Sequence, residues 1–378
     1  MTFVVPRQAE EGDPLKPSRF LLRTEEESLP ARVSRLFAAE TGEKRKPGGL
    51  PSASSPIFHK TPPVSGTVIE SVSVTGFKVF LECPYLFQLR NDRRLLLGDL
   101  EERAVELDAR AFGTLVHKAL ELWGREEAAA VRPTVDADEI ERSVCANLDR
   151  YVAERYPKSR LPAVRVQIEL ARRRLRRFSR LQAEQAKQGW KVLLAEISFE
   201  KEPRDGSFQA PRIPDANGVF LTGRIDRVDV NQETNTYRAL DYKTSSDGAS
   251  PMRTHLRGGK RTQSTGLIEW KDLQLPLYRV LLRSMPKPVC VDAGDLGYFN
   301  LAPSAEKSGI AMLDAAVVGD TDLKDAEKLA AEIVSMIRAG SFTPSPRIPV
   351  RAGDPFAVIW GRGQRGLAAA GAAEGGDE

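Results

Sequence analysis

Three side chains in this chain could hold a divalent cation and act beside it: Asp226, Asp241 and Lys243. They fall in the stretch Val219 to Lys243, which reads as a β-hairpin. An apolar run ends in Gly223-Arg224-Ile225-Asp226, a polar turn covers Asn231–Thr236, and a second run ends in Asp241-Tyr242-Lys243. Strand side chains alternate faces, so Asp241 and Lys243 share one side while Leu240 and Tyr242 take the other. A carboxylate at the end of one strand, with a carboxylate and an ammonium on its neighbour, can hold a hard cation such as Mg²⁺ or Mn²⁺. The lysine can then orient or activate a water beside it. Singly, each of these residues would be an ordinary solvated strand-end charge. Together, at this spacing, they make a metal site the expected reading.

The pattern Gly223-x-x-Asp226 followed by Asp241-x-Lys243 resembles the core of the PD-(D/E)XK nuclease superfamily, above all its RecB-type branch. Further strings of that branch occur in the same order: Cys83-Pro84-Tyr85, then Gly113-x-x-x-His117, and Gln274-x-x-x-Tyr278 after the lysine. The resemblance covers about Ser71 to Gly361. It implies an α/β fold with a restriction-endonuclease-like core, a small mixed central sheet flanked by helices, and a helical N-terminal lobe. The implied metal ligands are His117, Asp226, Asp241 and the backbone carbonyl beside Tyr242, with Mg²⁺ or Mn²⁺ as cofactor. Asp226, Asp241 and Lys243 would be catalytic, with Gln274 and Tyr278 positioning the site and the DNA. The implied activity is hydrolysis of DNA phosphodiester bonds, as an exonuclease of DNA repair or recombination acting on single-stranded or duplex ends.

Other residues have plainer roles to set against the motif. His117 is one of three histidines; on an amphipathic helix with Leu115, Leu120 and Leu122 it would otherwise be a core residue, and the motif makes it a ligand. Some relatives use the first cysteine for an iron–sulfur cluster, which needs four thiolates. Here 341–378 holds none, so Cys83 is expected to be a small buried hydrophobe and no cluster is expected. Glu196, inside the strand KVLLAEISFEK (191–201), could assist the metal or pair with an arginine, and the pairing is the expectation, since a buried lone carboxylate is costly. Gly259-Lys260-Arg261 is not a Walker A loop, so neither ATP hydrolysis nor unwinding by this chain alone is expected, and a helicase subunit or domain is the natural partner.

No member of the catalytic set is replaced by an inert residue, which favours an enzyme over a non-cleaving DNA- or helicase-binding module of the same fold. A small-molecule metallohydrolase would want a closed pocket rather than the long basic loop at Thr244–Lys271, which carries Arg253, His255, Arg257, Lys260, Arg261 and Lys271. That loop could steer a nucleic acid strand, with His255 a loop residue rather than a ligand.

The supporting elements follow from periodicity. Helices are expected from Ser73 or Thr75 through Leu89, over Ala111–Gly124, 135–157, 162–188, Asp272–Leu282 and Asp322–Arg338, the last with Leu329, Ile333, Met336 and Ile337 inward. The 162–188 helix carries Arg165, Arg172, Arg173, Arg174, Arg176, Arg177 and Arg180, a solvated surface by default and a phosphate-contacting ridge as the alternative. Val289–Leu301 supplies one more strand.

Residues 1–70 read as mostly irregular, with a short helix at 29–39 and a Pro-, Gly- and Ser-rich linker at 41–68; 71–361 form the nuclease domain, and 362–378 a disordered tail. The string DPLKPSRFLL (13–22) resembles the segment that closes the helicase-like part of such subunits, and reads equally as an irregular basic tail. Charged residues make up 29% of the chain and the net charge is +4, which permits local nucleic-acid patches without demanding them. Three scattered cysteines, no signal design and no membrane-length apolar run point to the cytoplasm and away from a membrane.

Overall fold

The structure, a computed structural model, describes residues 26–28, 30–31, 69–91, 107–156, 162–262 and 265–343. The expected linker, the 13–22 string and the C-terminal tail lie outside the described residues, as does nearly all of the expected 29–39 helix. The chain divides into two units, Met1–Ser55 and Pro56–Glu378. Of the first, a 3-10 turn at Glu26–Ser28 and a trace of helix at 30–31 are described.

The second unit is built on a seven-stranded mixed sheet. Its strands are β1 (Ser71–Ser73), β2 (Trp190–Glu200), β3 (Ser207–Gln209), β4 (Phe220–Asn231), β5 (Tyr237–Lys243), β6 (Leu296–Asn300) and β7 (Gly309–Met312). The order is β3-β2-β4-β5-β6-β7, with β1 alongside β4. The β2–β4, β4–β5 and β6–β7 pairs are antiparallel; β1–β4, β2–β3 and β5–β6 are parallel. Strands β1, β3 and β7 span three, three and four residues, too short to show alternation, and periodicity does not predict them. The strand expected from Val289 is shorter, because Ala293–Asp295 forms a 3-10 turn before β6.

Helices cover both faces. On one side α1 (Val74–Glu82), α7 (Gln274–Arg283) and α8 (Asp320–Arg338) pack on Ala239, Leu296 and Tyr298. On the other α3 (Ala109–Ala129), α4 (Ala137–Arg155) and α5 (Pro162–Lys187) pack on Leu240, Tyr242 and Phe299. Alternate residues of β5 and β6 thus feed opposite cores, as the period of a buried strand requires. Gly124 lets α3 lie close to β2: a Cβ there would sit 2.7 Å from the Ala195 Cβ.

Several expectations need correction. The helix expected through Leu89 is two, α1 and α2 (Pro84–Asn91), because the residue before a proline avoids helical geometry and Cys83 is extended at φ −163, ψ 111. Ser73, not Thr75, caps α1, its Oγ accepting from the Gly76 N–H at 3.0 Å. Helix α8 buries Ile333 and Ile337 as expected, with Leu323, Ala326, Ala330 and Val334 beside them and Leu329 half-buried against the core, while Met336, expected inward, is 47% exposed.

Strand β4 does not end at Asp226 but continues to Asn231. Its later charges, Arg227 and Asp229, are buried in an ion cluster with Arg238 (Asp229 Oδ2 to Arg238 Nε, 2.9 Å), and the polar turn expected at Asn231–Thr236 joins β4 to β5. The basic segment after β5 is not one long loop. It contains α6 (Pro251–His255), capped by Ser250, and a 3-10 turn at Arg257–Gly259, and a bridge joins the buried Leu256 and Trp270. His255, expected in a loop, is fully buried.

Candidate active site

Strands β4 and β5 are paired as far as Arg227–Leu240. One step further Asp226 would face Asp241, and there the ladder opens. The Tyr242 N–H donates to the Asp226 side chain (Oδ2, 2.9 Å) instead of to a backbone carbonyl. Meanwhile β5 stays paired with β6, Asp241 beside Tyr298 and Lys243 beside Asn300. Both carboxylates are buried, at 7% and 5% exposure, in the notch between the parted strands.

Helix α3 brings His117 to this notch. Its Nε2 lies 3.2 Å from the Tyr242 carbonyl oxygen, and its Nδ1 lies 3.4 Å from Asp226 Oδ2 and 3.8 Å from Glu196 Oε1. One ligand atom each of His117, Glu196 and Asp226 fall within 4.8 Å of one another. Glu196 pairs with an arginine as expected, Arg224 Nε lying 2.8 Å from its Oε2, and one of its oxygens also lies in the group with His117 and Asp226.

Asp241 stands beside this group with both oxygens engaged. Oδ2 is 2.7 Å from Lys243 Nζ, and Oδ1 accepts from Gln274 Nε2 at 2.7 Å and from the Tyr278 hydroxyl at 3.1 Å. The i, i+4 spacing of Gln274 and Tyr278 on α7 lets both reach the same oxygen. Asp272, just ahead of Leu273 at the N-terminal end of α7, accepts from the Gln274 N–H (2.9 Å) and from Lys78 Nζ (2.8 Å).

The electrostatics follow from burying carboxylates together. Burial, then the neighbouring charge of Asp241, pushes the Asp226 carboxyl up to about 7. Burial alone would lower the His117 pKa, but its hydrogen bond to Glu196 and the charges of Asp226, Asp241 and Glu196 raise it to about 9. Both shifts express excess negative charge that a proton or a cation relieves. Lys243 is likewise held charged: burial works against it, and the Asp241 carboxylate outweighs the burial. An imidazole nitrogen, two carboxylates and the Tyr242 carbonyl form a mostly hard donor set, which fits Mg²⁺ or Mn²⁺.

One cavity opens on this region, and a separate groove borders it through Lys78, which pairs with Asp272, and Asn300, which stands beside Lys243 in the sheet. A cavity of about 280 Å³ is lined by Gly113, Thr114, His117, Glu196 and Arg224. A groove of about 1090 Å³ is lined by Lys78, Arg253, Lys271 and Asn300, and by β7 along one side. Arg253 and Lys271 are exposed. Arg257 and Arg261 instead pair with Glu269 (2.6 Å) and Asp322. The arginines of α5 are mostly engaged within the protein. Arg172 pairs with Asp149, Arg176 with Glu141 at 3.0 Å, Arg174 donates to the Thr244 carbonyl and Arg177 to that of Ala302. Arg165, Arg173 and Arg180 remain exposed. Cys83 is buried, its Sγ accepting from the Leu86 N–H at 3.4 Å.

The family model of the PD-(D/E)XK nuclease superfamily matches residues 71–348. The chain belongs to this superfamily. Among curated proteins, the chain is similar to an ATP-dependent helicase/deoxyribonuclease subunit of Moorella thermoacetica, 28% identical over 57% of this chain and 18% of that protein. It is also similar to the subunit of the same name from Clostridium acetobutylicum, 27% identical over 46% of this chain and 15% of that protein. The chain therefore spans less than a fifth of the length of either relative. No helix among the described residues is long and apolar enough to cross a membrane.

Proposed function

We propose that this chain is a metal-dependent deoxyribonuclease module that hydrolyses DNA phosphodiester bonds, working as an exonuclease in DNA repair or recombination beside a helicase subunit or domain. The observation that carries the reading is the convergence of His117, Asp226, Asp241 and Lys243 where β4 and β5 part. The names of the two relatives support DNA as substrate and a helicase as neighbour.

In this reading His117, Asp226, Asp241 and the Tyr242 carbonyl hold the ion, with Glu196 as an added ligand. A divalent cation bound there lowers the pKa of a coordinated water and offsets phosphate charge. The chain's own groups do the rest. Lys243, kept protonated by Asp241, donates to the attacking water or a phosphate oxygen and fixes its line of approach, rather than removing a proton. Gln274 and Tyr278 hold the Asp241 carboxylate in one orientation. Arg253 and Lys271 in the groove offer sequence-independent contacts to the backbone of an incoming strand.

The test is digestion of end-labelled linear single-stranded and duplex DNA with Mg²⁺ or Mn²⁺, against EDTA and a Lys243→Ala variant. Metal-dependent products that form far more slowly, though still measurably, in the variant establish the nuclease, and their ladder reports polarity. DNA bound but uncut under every metal would instead favour a non-cleaving module.

A further inference from the structure

Six residues from β5, β6, α6 and the start of α7 close a ring at the end of β5. Lys243 Nζ lies against Asp241 (2.7 Å) and 4.7 Å from the centroid of the Tyr298 ring. The Tyr298 hydroxyl is 2.7 Å from His255 Nε2, and His255 Nδ1 is 2.8 Å from the Asp272 carbonyl oxygen. Asp272 Oδ1 accepts from the Gln274 N–H (2.9 Å), and Gln274 Nε2 returns to Asp241 (2.7 Å). Tyr298 and His255 are both fully buried.

The proton positions follow from the partners. A carbonyl oxygen only accepts, so His255 Nδ1 carries the hydrogen, Nε2 is bare, and the Tyr298 hydroxyl must donate to it. Burial, the largest influence on His255, lowers its pKa and keeps the imidazole neutral, as this arrangement needs. The phenol ring is thereby locked at both ends, by its strand and by the imidazole. Its face meets the Lys243 ammonium, a flexible point charge that Asp241 restrains on one side only.

We propose that Tyr298 and His255 form a positioning unit for Lys243, holding its ammonium at a fixed place in the notch. This rests on the nuclease reading. The ring supplies the contact with the ammonium, and the hydrogen bond from its hydroxyl to the imidazole holds the ring.

The experiment is steady-state cleavage of a labelled oligonucleotide by wild type, Tyr298→Phe, Tyr298→Leu, Lys243→Ala and the double variant Lys243→Ala/Tyr298→Leu, with a melting curve for each. Tyr298→Leu is expected to lower kcat about 10–100-fold, the size usual for groups that orient a catalytic side chain. The KM for DNA should stay within about twofold, because no groove contact is touched. Tyr298→Phe keeps the ring beside Lys243 but frees it from His255, so it should lose about 3–10-fold in kcat, less than Tyr298→Leu, and no loss at all would strike His255 from the unit. In the Lys243→Ala background, Tyr298→Leu should cost nothing further, because the residue it acts through is gone. Equal losses in both backgrounds would make Tyr298 mere core filling and overturn the proposal. Should Tyr298→Leu not fold, NMR of metal-free wild type decides: Lys243 side-chain methylenes without an upfield ring shift would overturn it. A wild type that never cuts DNA would remove the nuclease reading itself, whereas a cutting wild type with additive losses removes only this inference.

Discussion

Glu196 stands opposite Asp226 in the β2–β4 ladder, between the pairs Ala195–Arg227 and Ile197–Ile225, with its backbone in the left-handed region at φ 50. That geometry costs a non-glycine residue on the order of 1 kcal/mol and persists only where the surroundings enforce it. Here it falls in the middle of β2, which continues on either side of it, and accompanies a buried carboxylate that reaches both His117 and Arg224. Strain, burial and like charge are thus concentrated at one rung of the sheet.

Glu196→Gln keeps the shape and removes the charge. If Glu196 serves the ion, Mn²⁺ affinity measured calorimetrically without DNA should fall about 10–100-fold, as it does when groups around a metal are altered. Unchanged affinity would leave Glu196 as a counter-ion of Arg224 alone.

The raised pKa values at the notch predict how pH and metal interact. His117 has a folded pKa of about 9, above its unfolded 6.5, so between those values the native state holds a proton that the unfolded state has lost. The stability this contributes is fully present below pH 6.5 and is lost as pH rises through 9. Asp226, raised from 3.8 to about 7, has the same sign at lower pH. Metal-free protein should therefore melt at lower temperature at pH 9 than at pH 7. A divalent cation, which competes with these protons, should raise the melting temperature more at pH 9 than at pH 6. A metal shift independent of pH would argue that the ion binds elsewhere.

Much of the notch could be read from the sequence because its signals are local. The period of two in β5 separates Asp241 and Lys243 from Leu240 and Tyr242, and the i, i+4 spacing puts Gln274 and Tyr278 on one carboxylate oxygen. What could not be read is non-local or disguised. Arg227 and Asp229 look like solvated strand-end charges, yet with Arg238 they neutralise one another in the core, so the apolar run stops at Asp226 while β4 continues to Asn231. His255 sits among basic residues that suggest an exposed loop, and only the fold brings Tyr298 and Asp272 to its two nitrogens. The double engagement of Glu196 depends on a backbone turn that no residue type announces.

The groove makes its own prediction. Arg253 and Lys271 are exposed along its lining, while Lys78 is tied to Asp272. Arg253→Ala and Lys271→Ala should each weaken binding of an uncut oligonucleotide about equally for every sequence, and each should reduce the slope of log K against log salt by about 1. Arg257→Ala, whose guanidinium is paired with Glu269, should change that slope less. An effect confined to one sequence would contradict a backbone-tracking groove.

The two motif glycines should behave oppositely. At Gly223 a Cβ would lie 2.9 Å from Val74 Cγ2 and 3.2 Å from Leu281 Cδ1, so the helices on that face must shift. Gly223→Ala should destabilise the protein by about 1–3 kcal/mol, as overpacking does. At Gly113 the nearest atom to such a Cβ is Thr244 Oγ1 at 3.5 Å, an ordinary contact. Within α3, replacing that glycine should add roughly 0.5–1 kcal/mol of helix stability. Gly113 also lines the cavity that opens on His117 and Glu196, so a methyl group there narrows the approach to the notch. Gly113→Ala should thus melt at a higher temperature and yet cut DNA more slowly, with the loss in KM if the methyl impedes the substrate. Gains in both stability and cleavage would show that the space above Gly113 is not used by DNA.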